Sequence, residues 1–245
     1  MTTLKPIAVV LGVGAEAGLG AAMCRRAAWG GCHVVVGGRT QAKIDAIAAG
    51  LTEGGATATA LRVDVTEEDS VNALFAAIDE MPGELALTVY NAGNAFSGNS
   101  LTVSAELFES AWRVCCLGGF LTAREAGKRM VDQGHGTIVF TGATASLKAR
   151  PPYLPFASAK AGLRAVAANY ARDLGPKGVH VAHVIIDGGI DGERLNAKAP
   201  DLKEKMGAHG MLDPDAIAES YWMLHQQHRS AWSFEIDLRP FKETF

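Results

Sequence analysis

Tyr153-Leu-Pro-Phe156-Ala-Ser-Ala-Lys160 places a phenol and an amine seven positions apart at the mouth of a helix. A phenol can donate a hydrogen bond to a developing oxyanion, and an amine beside it can hold the hydroxyl or anionic groups of a ligand. On a helix, the neighbour of the amine is the residue four positions earlier. That residue is Phe156, which has no proton to give. Tyr153 must then reach a substrate from further upstream, or else be a loop aromatic without a chemical role. Pro155 disfavours helical geometry at Leu154 and would turn Tyr153 aside.

The other reactive side chains fit blander roles. Cys115 has no charged neighbour and lies mid-helix, as an inert packed thiol does. His225 and His228 read as a solvated helix face, with no third ligand at a metal-binding spacing. His135, in a glycine-flanked turn, reads as exposed. Asp187 and Asp191 fit either a substrate contact or a capping and lid role.

The elements before this stretch prepare a phosphate site. Ile7 to Leu11 is a short continuous apolar run, the pattern of a strand buried on both faces of a parallel sheet. It leads into Gly12-Val-Gly14-Ala-Glu-Ala-Gly18-Leu19-Gly20 and then an alanine-rich helix. Such a strand, glycine loop and helix N-terminus offer backbone N–H groups and a partial positive charge to a phosphate. His33 to Val36 predicts the second strand, followed by Gly37-Gly38-Arg39. A dinucleotide held by the first loop puts its adenosine ribose there, where an acid binds a free 2′-hydroxyl and an arginine a 2′-phosphate. Arg39, with Gly38 leaving no acid beside it, points to NADP(H), with NAD(H) as the alternative. Glu16, in the glycine loop, opposes that phosphate.

Further along, Gln41 to Leu51 predicts a helix and Ala58 to Val63 a third strand, with Asp64 at its C-terminal end. A helix over 67–80 follows, then a fourth strand, Leu85 to Tyr90, running into Asn91-Ala92-Gly93. Ser104 caps a long helix reaching about Val131, with Gly118-Gly119 inside it. Ile138 to Thr141 is the fifth strand and ends in a loop bearing Thr144 and Ser146. Phe156, Lys160, Leu163, Ala167, Tyr170 and Leu174 recur at helical spacing and mark one packed face. His180 to Ile186 is the sixth strand and Phe234 to Leu238 the seventh. Between them, 187–212 is polar and irregular, as a mobile substrate lid would be. Asp213-Pro214 opens a helix with a cap and an N1 proline. Strands alternating with helices in this way specify an α/β fold.

Bulk composition agrees. A chain of 245 residues with 48% hydrophobic residues suits one domain over 1–245. The formal net charge of -3 leaves no basic excess for a nucleic-acid backbone. The apolar run within Met1 to Leu11 is too short for a signal-peptide core or a membrane span, so a cytoplasmic location with no membrane partner is expected. Cys24, Cys32, Cys115 and Cys116 show no CxxC spacing and are expected as reduced, mostly buried thiols.

Taken together, Gly14-x3-Gly18-x-Gly20, Asp64-Val65, Asn91-Ala92-Gly93, Ala159-Lys160-Ala161 and Leu174-Gly175-Pro176-x-Gly178-Val179 resemble the short-chain dehydrogenase/reductase family over nearly the whole chain. The resemblance implies a single-domain Rossmann fold, with a seven-stranded parallel sheet in the order 3-2-1-4-5-6-7 flanked by helices. It implies NAD(P)(H) along the C-terminal edge of that sheet, cradled by Gly14, Gly18, Leu19 and Gly20. Asp64, with Val65, would face the adenine and Asn91, Ala92 and Gly93 would line the cofactor wall. Lys160 would bind the nicotinamide ribose, with Ile190 near the nicotinamide. A homodimer or homotetramer built on the helices at 104–131 and 156–174 is also implied.

The chain departs from the family where the chemistry is done. Most members place a Tyr four residues before the Lys, a Ser thirteen before that Tyr, and an Asn in the preceding helix. Counting back from Lys160 puts Phe156 and Ala143 at the first two positions, with Thr141, Thr144 or Ser146 available if the loop length differs. Matching Val114-Cys-Cys-Leu-Gly118-Gly-Phe120 puts Cys115 at the third, and Asp187-Gly188 stands where Pro-Gly is usual. Tyr153-x6-Lys160 is similar to the spacing in the enoyl-acyl-carrier-protein reductases, which reduce C=C bonds. The expectation is an NADP(H)-dependent oxidoreductase reducing a C=O or conjugated C=C of a small apolar substrate. Lys160 would orient the cofactor, and Tyr153, with Thr144 or Ser146, would polarise the substrate. The alternatives are an NADP(H)-binding protein without redox turnover, structural or sensory, and a cofactor-dependent lyase or cyclase.

Overall fold

The most apolar runs of the sequence form the middle of the sheet. In the computed structural model, which describes residues 4–244, β1 (Ile7–Leu11), β4 (Leu85–Tyr90) and β6 (Val179–Ile186) are buried at every position. In β2 (His33–Gly38) and β5 (Gly136–Thr141) only the first residue is partly open. The edges, β3 (Thr57–Arg62) and β7 (Glu235–Leu238), are half-exposed. All seven pair in parallel in the order β3-β2-β1-β4-β5-β6-β7. Parallel neighbours need crossover connections, and the helices that supply them cover both faces.

Successive strand residues point to opposite faces, so each strand feeds two cores. Val10, Val34, Val36, Val139 and Val184 pack with α1 (Leu19–Trp29), α2 (Gln41–Glu53) and α9 (Pro214–His225), whose Tyr221 and Trp222 are buried there. Val9, Leu11, Val35, Ile138 and Phe140 face α3 (Glu68–Asp79), α5 (Gly118–Gln133) and α6 (Leu154–Leu174), meeting Phe75, Leu121 and Leu163. The two caps expected from sequence are formed. The side chain of Ser104 accepts a hydrogen bond from the Leu107 N–H, and that of Asp213 accepts one from the Asp215 N–H.

Four expectations are corrected. The helix expected from Ser104 to Val131 is interrupted: α4 (Ala105–Trp112) passes into a π-helical turn, Arg113–Leu117, before α5. Tyr90 drives this, because its buried hydroxyl donates to the Val114 carbonyl that the wider turn releases. The glycine pair lets the ring in, since a Cβ at Gly118 would collide with the Tyr90 hydroxyl. The lid region 187–212 is not wholly irregular: it holds α7 (Glu193–Lys198) and α8 (Leu202–Met206), closed by a bridge between Ile190 and Leu212. Of the expected α6 face, Phe156 and Tyr170 are only partly buried, while Ala157 and Ala159 are buried. His225 is not on a solvated face. It turns inward, its Nδ1 3.0 Å from Thr137 Oγ1 and its ring 5.0 Å from that of Trp222.

Buried histidines make the fold acid-sensitive. Burial lowers the His183 pKa from 6.5 to about 4, outweighing the Glu235 carboxylate 2.9 Å from its Nδ1. Burial likewise takes His225 to about 4, and it lowers His180, stacked on Trp232. Unfolded histidines protonate near 6.5 and folded His183 and His225 only near 4, so stability present above pH 6.5 is lost as pH falls towards 4. The His183 and His225 shifts are each worth on the order of 3 kcal/mol over the whole window. The urea midpoint should therefore fall clearly between pH 7 and pH 5, and a flat midpoint would contradict this account of the core.

Candidate active site

The glycine loop, Arg39, Asp64, Asn91 to Gly93, Thr144, Ser146 and Ile190 all follow the C-terminal ends of parallel strands, and Lys160 reaches the same edge through the Thr141 carbonyl. The connections from β1 and β4 leave that edge in opposite directions, which opens a crevice there. The glycine loop forms one wall. Gly12 has φ +90°, and a Cβ there would collide with the backbone of Asn91 and Ala92 at the end of β4. No atom lies within 4 Å of the place a Gly14 Cβ would take, so that backbone stands open. Leu19 begins α1 after Gly18, and no side chain caps the first turn. An uncapped helix start behind an open glycine backbone fits a phosphate.

The far end of the edge is cationic. Arg39, after β2, is exposed, and Arg62 at the end of β3 sends its Nε to the Arg39 carbonyl at 3.2 Å. Arg62 was missed from sequence, although its place two residues before Asp64 marks it as a strand end. Glu16 pairs with Arg25 at 3.7 Å and its side chain is 72% exposed. Asp64 Oδ1 accepts the Thr66 N–H at 3.0 Å and the Thr66 hydroxyl at 2.8 Å, fixing the turn into α3, and Val65 is buried behind it.

Between β4 and β5 sits the amine. Lys160 is 4% exposed, and its Nζ donates to the Thr141 carbonyl at 2.6 Å. Desolvation lowers its pKa. A Cβ on Gly93 would lie 3.5 Å from Lys160 Nζ and 3.6 Å from Cys115 Sγ, so these three residues meet at the crevice floor. Asn91 ties the floor together: its Nδ2 donates to the Gly12 carbonyl at 3.3 Å and its Oδ1 accepts the Thr141 hydroxyl at 3.2 Å. Thr141 Oγ1 in turn accepts from the buried Tyr221 hydroxyl at 3.0 Å. Cys115 is fully buried in the π-helical turn, where its Sγ points to the Asn94 carbonyl at 3.9 Å.

Phe156 holds the position beside the amine, with Lys160 Nζ 5.8 Å from its ring centre. Tyr153 is the N-cap of α6 and is 42% exposed. Contrary to the sequence expectation, Leu154 is helical. Pro155 falls within the first turn, where a missing N–H costs nothing, and the first helical bond runs from Ala157 N to the Tyr153 carbonyl at 2.8 Å. Seven residues of helix separate Tyr153 from Lys160 by roughly 10 Å along the axis, on nearly the same face. Among the described residues the Tyr153 hydroxyl has no hydrogen-bond partner. Ser146 and Thr144, in the short 3₁₀ turn after β5, are engaged: Ser146 Oγ donates to the Ala143 carbonyl at 2.6 Å, and Thr144 Oγ1 donates to Asp187 Oδ1.

The segment after β6 folds back across the crevice mouth. The Glu193 N–H donates to the Ala17 carbonyl of the glycine loop at 2.9 Å, and Arg194 Nη1 donates to the Gly93 carbonyl at 2.8 Å. Ile190, half-buried, lies at the base of this segment. No spacing in the sequence singles out Arg194.

A family model described as short chain dehydrogenase matches residues 8–202. The chain belongs to the short-chain dehydrogenase family. This short-chain dehydrogenase is 32% identical over 216 residues to an uncharacterized oxidoreductase, YuxG, of Bacillus subtilis, a match covering 87% of the chain and 31% of that relative. The chain thus spans less than a third of that relative's length. It is 31% identical over 206 residues to a 3beta-hydroxysteroid dehydrogenase of Mediterraneibacter gnavus, covering 81% of the chain and 71% of the relative. A crystal structure of a short-chain dehydrogenase from Rhodopseudomonas palustris is 35% identical, with a TM-score of 0.82 over 97% of this chain and 99% of that one. Among the described residues no helix is long and apolar enough to cross a membrane, and no cluster of His, Cys, Asp and Glu could hold a metal ion.

Proposed function

We propose that this short-chain dehydrogenase is an NADP(H)-dependent oxidoreductase acting on a C=O or conjugated C=C of a small apolar molecule. The observation that carries the reading is the buried Lys160 ammonium at the crevice floor, between the glycine loop and the ends of β4 and β5. An ammonium removed from water is costly unless it meets a partner, and a ribose hydroxyl beside Gly93 would be one. Gly14, Gly18, Leu19 and Gly20 cradle the diphosphate, Arg39 and Arg62 receive the 2′-phosphate, and Asp64 with Val65 borders the adenine. Asn91, Ala92 and Gly93 wall the nicotinamide half, which Ile190 covers from the lid at 187–212. The bound cofactor supplies the hydride.

Substrate polarisation falls to Tyr153. Ser146 gives its hydroxyl hydrogen to the Ala143 carbonyl and Thr144 gives its own to Asp187, whereas the Tyr153 hydroxyl has no protein partner among the described residues. Leu147 and Leu154, both exposed near the α6 N-terminus, suit an apolar substrate. Trp112 and Phe120, exposed along α4 and α5, support a homodimer or homotetramer built on those helices.

Cofactor choice is tested by fluorescence titration. NADPH should bind more tightly than NADH, and Arg39→Ala should weaken NADPH by roughly 10- to 100-fold, the worth of a charge-assisted contact, with NADH little changed. Equal losses for both cofactors would count against Arg39 as the phosphate ligand. The Phe156 ring beside Lys160 favours a second reading, a ligand-binding protein without turnover. That reading predicts tight NADPH binding and no oxidation with any substrate.

A further inference from the structure

Two buried carboxylates occur among the described residues, Glu125 and Asp187. Glu125 is neutralised on α5 by Arg124, Lys128 and Arg129. Asp187 stands directly after β6, on the edge that carries the crevice, with its side chain 13% exposed. Its Oδ1 takes the hydroxyl hydrogen of Thr144, whose Oγ1 also lies 3.4 Å from the Ile186 carbonyl. Its Oδ2 lies 3.3 Å from Arg239 Nη2, and Arg239 also bonds Asp237 at 2.6 Å. The Asp187 N–H donates to the Leu238 carbonyl at 2.9 Å, so the backbone under the carboxylate is fixed. Thr144 opens the 3₁₀ turn that packs against α6, next in the chain to Ala143.

A hydroxyl whose hydrogen is given to a carboxylate keeps its lone pairs for another donor. An alcohol oxygen entering the crevice can supply that donor. We propose that Thr144 and Asp187 form the proton path of this oxidoreductase, Thr144 as the catalytic residue touching the substrate oxygen and Asp187 as the group that acts through it. The proposal rests on the redox reading above. In oxidation, the substrate hydroxyl passes its proton to Thr144 Oγ1 while the hydrogen of Thr144 moves to Asp187 Oδ1. The substrate carbon gives its hydride to NADP+, leaving a C=O bond, NADPH and a neutral Asp187 carboxyl, which returns its proton to solvent. Reduction runs the same path backwards: the carboxyl proton reaches the new alkoxide through Thr144. The Arg239 guanidinium, 3.3 Å from Oδ2, holds the Asp187 carboxylate in place with its Oδ1 on Thr144. Tyr153 then polarises the oxygen without having to give up its own proton.

The test uses the full chain with Thr144→Val, Thr144→Ser and Asp187→Asn. NADPH fluorescence titration and thermal melting should give near wild-type values for both Thr144 variants. With a carbonyl or alcohol substrate that the wild type turns over, Thr144→Val and Asp187→Asn should lower kcat by roughly 10²- to 10⁴-fold, the range for a proton-transfer group, with KM within a few-fold. Thr144→Ser should recover kcat to within about tenfold of wild type, because the hydroxyl is restored. Thr144→Val turning over like the wild type would overturn the path, even if Asp187→Asn did not fold. A wild type that binds NADPH but never oxidises it would overturn the redox reading and the path together, a different result from an active wild type with indifferent variants.

Discussion

Lys160→Met should bind NADPH more weakly and lose turnover by roughly 10²- to 10⁴-fold, while the protein still folds. Methionine keeps the unbranched volume but removes the buried positive charge at the crevice floor between Gly93 and the Thr141 carbonyl. Two terms oppose each other in stability. The Thr141 carbonyl loses its donor, at about 1 to 3 kcal/mol, but a desolvated ammonium no longer has to be buried, which offsets a similar amount. The melting temperature should therefore move little while binding and kcat collapse. A Lys160→Met protein that turns over normally would separate the buried amine from function altogether.

Tyr153→Phe carries the second large effect. Removing one donor aimed at a developing oxyanion costs about 10²- to 10³-fold in kcat. No loss of stability should accompany it, since Tyr153 is 42% exposed and its hydroxyl bonds to nothing among the described residues. NADPH affinity should also be unchanged, because the proposed ribose contact belongs to Lys160 and not to Tyr153. Parallel measurement of kcat, KM and NADPH affinity checks this. Undiminished kcat would return Tyr153 to the status of a loop aromatic.

How much of this was legible in the sequence divides along physical lines. The short, mainly apolar runs at Ile7–Leu11, Leu85–Tyr90 and His180 to Ile186, alternating with helical stretches, gave the sheet away as strands buried on both faces. The place of the glycine loop between β1 and α1, and of Arg39 after β2, was legible because backbone conformation and strand ends are local properties. The π-helical turn was not: it depends on Tyr90 reaching Val114 across the fold, and Gly118-Gly119 read only as a weakness in a helix. His225 was misjudged for the same reason, since its partner Thr137 lies 88 residues earlier. Leu154 shows local rules competing, with the rule for residues before proline yielding to the tolerance of proline in a first turn. The Thr144, Asp187 and Arg239 cluster joins three separate chain segments, and no spacing announces it.

The central claim is that a nicotinamide cofactor held by Lys160 does redox work here with Phe156 beside the amine. It is tested most directly by following NADPH absorbance when the purified chain meets a panel of apolar ketones, enones and enoyl thioesters. Oxidation of NADPH in step with loss of at least one of these substrates, and its near-disappearance in Lys160→Met, is the predicted result. Saturable NADPH binding with no oxidation across the whole panel would contradict it.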